Sequence, residues 1–205
     1  MLVPALFWFA LAFIVACIEI ESEGKWGWAE KAPTWFRTTG VVGKTYGLLM
    51  GGKPFTGYHL FMFLLPPMMF HIPFVSGLKL TLAAEFNVWA LFFVWCPLWD
   101  YLWFVLNPEF GAAGFKKDKV WWYANSIWIF GLFPADYLIA AAISFAFAGG
   151  AQLAGKSDAL AGHAALLTLF LFMTAMTIAA SPLYHRWYRY MRRSDDRDKA
   201  GIFHR

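Results

Sequence analysis

The chain has 205 residues, of which 60% are hydrophobic, 20% aromatic and only 15% charged. That balance is far too apolar for an ordinary soluble domain and marks an integral membrane protein. The formal charge of +4 reads as a topology signal and contact with anionic lipid headgroups, and gives no reason to expect nucleic acid as a partner.

A hydrocarbon core of about 30 Å needs roughly 20 apolar residues to cross it. The first such run is 2–20. It has no Lys or Arg ahead of it, so it is expected to stay as a span and not to be cleaved as a signal, although IVAC at 14–17 loosely resembles a lipoprotein cleavage site. Residues 21–56 are rich in Gly and Trp, a composition suited to lying in the headgroup layer. Their GVVGKT is not a phosphate loop, because Thr38 stands where the pattern requires Gly. Further spans are predicted at 57–75, 78–106, 134–154 and 160–184, the third long enough to protrude. The stretch 120–133, apolar but too short to cross, is predicted to be an interfacial helix. The expected fold is all-α: one polytopic membrane bundle over 1–205, with five transmembrane helices and that interfacial helix.

Lys and Arg are retained on the cytoplasmic side. With the N-terminus outside and the C-terminus inside, all of the 17 basic residues except Lys79 and Lys156 fall on inner segments. This predicts a multi-pass protein of the cell's inner, cytoplasmic membrane. Cys17 and Cys96 lie toward the inner ends of spans, where a structural disulfide is not expected, and two thiols alone make no metal-site spacing.

Acids and histidines sort into two layers by depth. Toward the inner face come Glu19, Glu23, His59, Asp100 and Asp136, with Glu21 and His185 at the same level. Glu19 and Glu23 are four apart and share a helix face if the first helix continues. Carboxylates and imidazole together have the donor types that hold a divalent metal, one ion or two if a carboxylate bridges. Several acids in a low-dielectric setting also demand a cation or shared protons. Pro97 precedes Asp100, and a proline bend frees carbonyls that a hydrated pocket can satisfy, whereas Pro134, two residues before Asp136, is read as starting a helix at its first turn. The plain alternative is pairing at the water boundary with Lys25, Lys31 or the lysines at 116–119. Toward the outer face come His71, Glu85 and His163, read as a hydrogen-bonded cluster gluing helices with a minimal metal set as the alternative. His185, within HRWYRYMRR, reads as part of a basic helix end at the headgroups.

Two histidine pairs also raise haem ligation. The helix rise between His59 and His71 differs so much from that between His163 and His185 that two haems are disfavoured, and one remains a second choice behind a divalent metal. Trp95, Trp99 and Trp103 repeat every four residues on one helical face. They form an aromatic belt or an apolar wall for a quinone, carotenoid or lipid tail.

The stretches EIESEGKWGWAEKAPTW at 19–35, GGKPFTGYHLFMF at 51–63, WDYLWFVLNPEFG at 99–111 and PADY at 134–137 resemble a family of small, uncharacterised prokaryotic membrane proteins. The resemblance covers about the first two thirds and implies no activity. Relatives often place Glu before the Asp of the third stretch, where this chain has Trp99, and histidines in the segment matching WWYANS, where it has Tyr123. It therefore implies that some polar groups of a shared metal site are missing here.

Two functions compete at this point. One is a polar pocket at the cytoplasmic side, with Glu19, Glu23, His59 and Asp100 as ligands or proton carriers and Asp136 in support. That pocket would bind a metal ion or a lipid-like or isoprenoid ligand, and its chemistry, if any, would be metal-assisted. No catalytic nucleophile beside a base is legible. The other is a non-catalytic subunit of a respiratory or photosynthetic membrane complex, packing on partner proteins through its aromatic faces.

Overall fold

The computed structural model describes residues 1–197. Five helices are long and apolar enough to cross a membrane: α1 (Leu2–Glu23), α3 (Gly57–Val75), α4 (Leu82–Leu106), α6 (Ala135–Leu153) and α7 (Ala159–Arg193). Between them lie the ten-residue α2 (Gly40–Leu49) and the single turn α5 (Gly111–Gly114). Two short antiparallel pairs complete the architecture: β1 (Phe36–Arg37) with β2 (Phe55–Thr56), and β3 (Trp128–Ile129) with β4 (Phe133–Pro134). The molecule is an all-α bundle of a multi-pass membrane protein. Lys199 and Arg205, counted above among the inward charges, lie outside the described residues.

The hub is α4, the most buried of the spans, packed against α1, α3, α6 and α7. It is apolar on all sides, as a helix surrounded by others must be. Its neighbours approach through small residues, which let backbones close together where lipid gives no hydrophobic drive. On α1 these are Ala5, Ala12 and Ala16, all fully buried, and on α6 they are Ser144, Ala148 and Ala151. The close approach of α1 lets the Trp95 indole donate to the Trp8 carbonyl at 2.8 Å. At Gly150 a Cβ would stand 2.8 Å from the Phe86 ring, so a larger residue enters that crossing only if the ring shifts.

Three expectations change. Residues 120–133 do not form an interfacial helix; they make one 3-10 turn, Trp121–Tyr123, and then the β3–β4 hairpin. The reversal passes through Phe130 and Gly131 at positive φ, a backbone that ends any helix. Within 21–56 the chain is more ordered than a loop, with α2 and the β1–β2 pair. The last helix runs on to Arg193, about two turns past the apolar stretch, because Arg186, Arg189, Met191, Arg192 and Arg193 are good helix formers needing no burial.

Candidate functional site

The α1 helix ends at Gly24 (φ 60), and the following turn is left-handed again at Gly27 (φ 65), Trp28 (φ 43) and Ala29 (φ 52). Glycine adopts such angles freely, whereas Trp and Ala do so at a cost that the surroundings must hold in place. The curl aims the Ala29 N–H at Glu23 Oε1, 2.5 Å away. It also lays the Trp28 ring flat on the His59 imidazole, with centroids 4.0 Å apart and planes at 15°. Trp28 then donates its indole N–H to the Pro54 carbonyl at 3.0 Å.

From the other side, Thr56 caps α3. Its Oγ1 accepts the His59 backbone N–H at 3.1 Å and lies 2.8 Å from His59 Nδ1. That contact turns the remaining ring nitrogen, Nε2, toward Glu23 Oε1 at 3.6 Å. Glu19 sits one turn before Glu23 on the same buried face of α1. One ligand atom each from Glu19, Glu23 and His59 lie within 4.8 Å of one another, and all three residues are buried.

These three line a cavity of about 240 Å³ shared with Asp100, Asp136 and Lys53. Asp100 Oδ2 accepts hydrogen bonds from the Tyr123 hydroxyl at 3.0 Å and from the Tyr137 hydroxyl. Asp136 stands at the exposed rim, where it accepts from Ser126 Oγ at 3.3 Å. Lys53 is 7% exposed and places its ammonium over the rings of Tyr123 (4.3 Å) and Trp28 (4.6 Å). Burial in this aromatic sleeve lowers the Lys53 pKa from its ordinary value, with Asp100 and Asp136 pulling it back up. Burial likewise pushes the Tyr123 hydroxyl well above the usual phenol range, and the charge of Asp100 adds to it. Trp99 and Tyr58 lean toward Glu19, yet neither of them, nor Trp103, reaches hydrogen-bond geometry with any described residue.

The residues predicted for the inner layer therefore divide. Glu19, Glu23 and His59 converge, Asp100 faces the same cavity but is held by two tyrosines, and Asp136 is peripheral. Of the tryptophan wall, Trp99 and Trp103 line the cavity, whereas Trp95 lies behind it against Phe70, its N–H taken by Trp8. The outer trio separates into two. His71 pairs with Glu85 at 3.0 Å, and Glu85 also accepts the Trp89 indole at 2.7 Å. His163 instead meets Ser144, whose hydroxyl is spent on the Ala90 carbonyl at 2.9 Å, so the pair ties α6 and α7 to α4 and leaves no activated nucleophile. His185 joins none of them and donates to the Val105 carbonyl at 2.9 Å.

Lys53, Trp28, Thr56, Tyr123 and Tyr137 are the site residues that sequence reasoning missed. A lysine next to GG in an apolar chain reads as a surface charge. The signal available was TGYH at 56–59, a threonine in N-cap position three residues before a histidine. No protein-family model, curated protein or solved structure matches the chain.

Two carboxylates and one neutral imidazole offer a charge of −2, which suits a divalent ion. Atoms each about 2.0–2.2 Å from a common ion stand at most about 4.4 Å apart, so the observed spread closes with small side-chain adjustments. Three protein ligands would leave coordination positions open toward the cavity, the arrangement of sites that bind water or substrate on the metal.

Proposed function

We propose that the protein holds a divalent metal ion between Glu19, Glu23 and His59, at the cytoplasmic end of its bundle, and presents that ion to a lipid-like ligand entering from the membrane. The convergence of three buried ligand atoms within 4.8 Å, drawn from two helices, carries this reading. Burying two carboxylates without a cation is costly, and the nearby ammonium of Lys53 is directed at aromatic faces. A bound ion would act as a Lewis acid on an oxygen of the ligand. Thr56 would fix the imidazole by accepting its Nδ1–H, which leaves Nε2 free to coordinate. Asp100, Tyr123 and Tyr137 would form a proton-bearing wall, with Lys53 offsetting the carboxylate charge.

Elemental analysis of the purified protein tests it. The wild type is expected to carry a divalent transition metal in stoichiometric amount, Glu19→Gln and Glu23→Gln to lose at least nine tenths of it, and Asp100→Asn to keep it. Metal at full occupancy in both glutamate variants would sink the assignment. A metal-free wild type that purifies with fixed partner proteins would favour a structural subunit of a membrane complex instead.

A further inference from the structure

The polar cavity has a neighbour. Pro97 and Tyr137 line it on one side and also line a larger space of about 580 Å³ on the other. This second space is an apolar groove between α4, α6 and α7, bounded along the bundle by Val94, Leu98, Leu167 and Phe170 and reaching Lys116 at its loop end. The Tyr137 ring is the partition, with its hydroxyl on Asp100 and its face stacked on Phe115 at 5.7 Å.

The donors and charges of the cavity indicate what would cross that partition. The indole N–H groups of Trp99 and Trp103, in side chains 5% and 3% exposed, reach hydrogen-bond geometry with no acceptor among the described residues, although the Trp99 indole leans toward Glu19. A buried donor left unpaired is costly, so a ligand that supplies an acceptor is favoured there. Charge then selects the kind of acceptor. Four carboxylates and one lysine line the cavity, so an anionic head is repelled even beside one divalent ion, while a cationic head, though drawn by the carboxylates, brings no acceptor for the two indole donors.

We infer that groove and cavity together bind a single-chain neutral lipid with a carbonyl head, a ketone, aldehyde or ester. The chain lies between α4, α6 and α7, and the carbonyl oxygen passes Tyr137 to accept from Trp99 and Trp103. This rests on the proposed function in placing that oxygen beside the metal triad.

The test is native mass spectrometry of the full-length protein in detergent, with matched sixteen-carbon probes: hexadecan-2-one, hexadecane, hexadecyl phosphate and hexadecyltrimethylammonium. Metal content is read on the same samples. The ketone is expected to be retained about tenfold more than the other three. Trp99→Phe with Trp103→Phe should abolish its advantage over hexadecane, since the rings stay and the donors go. Ala141→Trp, which fills the groove, should reduce ketone retention about tenfold with metal content unchanged. Leu171→Trp, at a position of the same groove that is 63% exposed, should do the same without straining the core. Equal retention of hexadecane and ketone, or phosphate or ammonium retained as well as ketone, would overturn the head assignment. Ketone retention untouched by both groove variants would mean annular lipid only and overturn the path. Ketone preference in a protein that carries no metal would sink the metal reading alone.

Discussion

A threonine at the start of a helix ordinarily caps it, and at position 56 the same hydroxyl also meets the imidazole three residues on. Replacing it with valine keeps the shape and deletes both contacts. Thr56→Val is expected to weaken metal affinity about 10–100-fold, the usual effect of losing a group that orients a ligating histidine, as read by competition with a chromogenic chelator. Lys53 gives a second prediction at this scale. Its pKa is lowered in the folded protein, so between that value and the free lysine value of about 10.4 the unfolded chain binds more protons. Its contribution to stability therefore rises with pH across that window. Tyr123 works in the opposite sense above about pH 10, because its folded-state pKa is raised. Thermal unfolding followed from pH 7 to 10 should show the wild type gaining stability relative to Lys53→Met as pH rises, and a constant difference would refute the assignment. For Thr56 the sequence offered only its N-cap position three residues before His59, and for Lys53 it offered nothing. The chemistry of Thr56 and Lys53 depends on a chain reversal between α2 and α3 that leaves no periodic trace.

At the scale of elements, the spans were legible and their connections were not. Apolar length alone placed α3 at 57–75 to the residue and the others within a few residues, except the end of α7, which runs nine residues past 184 to Arg193. The i, i+4 relation of Glu19 and Glu23 was equally readable once α1 was continued past residue 20. The segment after α1 was opaque, since its course is set by left-handed angles at Trp28 and Ala29 that neither residue prefers. Its anchor is Asn107, 1% exposed, which donates to the Gly24 carbonyl at 2.8 Å and accepts from the Glu109 N–H at 3.1 Å. Asn107→Ala leaves the half-buried Gly24 carbonyl without its partner and should lower stability by about 1 kcal/mol, measured by reversible denaturant unfolding in mixed micelles, with metal occupancy falling in parallel as Glu23 loses its setting. Gly27→Ala should cost more than about 1 kcal/mol, for its φ is positive and a Cβ would run into the Trp122 ring. The pairing of His163 with Ser144 escaped the sequence for a different reason. Which neighbour lies across the gap depends on the order of helices around α4, which position along a helix does not give.

For the whole molecule, the bundle alternates so that α1, α4 and α7 end where α3 and α6 begin, and every span reaches the end that holds the cavity. The distribution of Lys and Arg predicts that this end faces the cytoplasm. A fluorescent reporter fused to the C-terminus should therefore light, and a periplasm-dependent phosphatase fused at the same place should stay inactive; the reverse result would place the metal triad on the outer side. Charge supplies an expectation of orientation that this fusion tests, whereas the meeting of Glu19, Glu23 and His59 needed the crossing of α1 over the start of α3.

The length of α7 has a mechanical consequence. At about 1.5 Å per residue its 35 residues extend about 52 Å, far beyond a hydrocarbon slab of about 30 Å, so the arginine-bearing portion stands clear like a keel. His185 and Arg189 moor that keel by donating to the carbonyls of Val105 and Pro108, where α4 finishes. The end of α7 is thereby tied close to Asn107, whose amide holds the Gly24 carbonyl where α1 leaves the acidic chamber, so a displacement of the keel would be felt there.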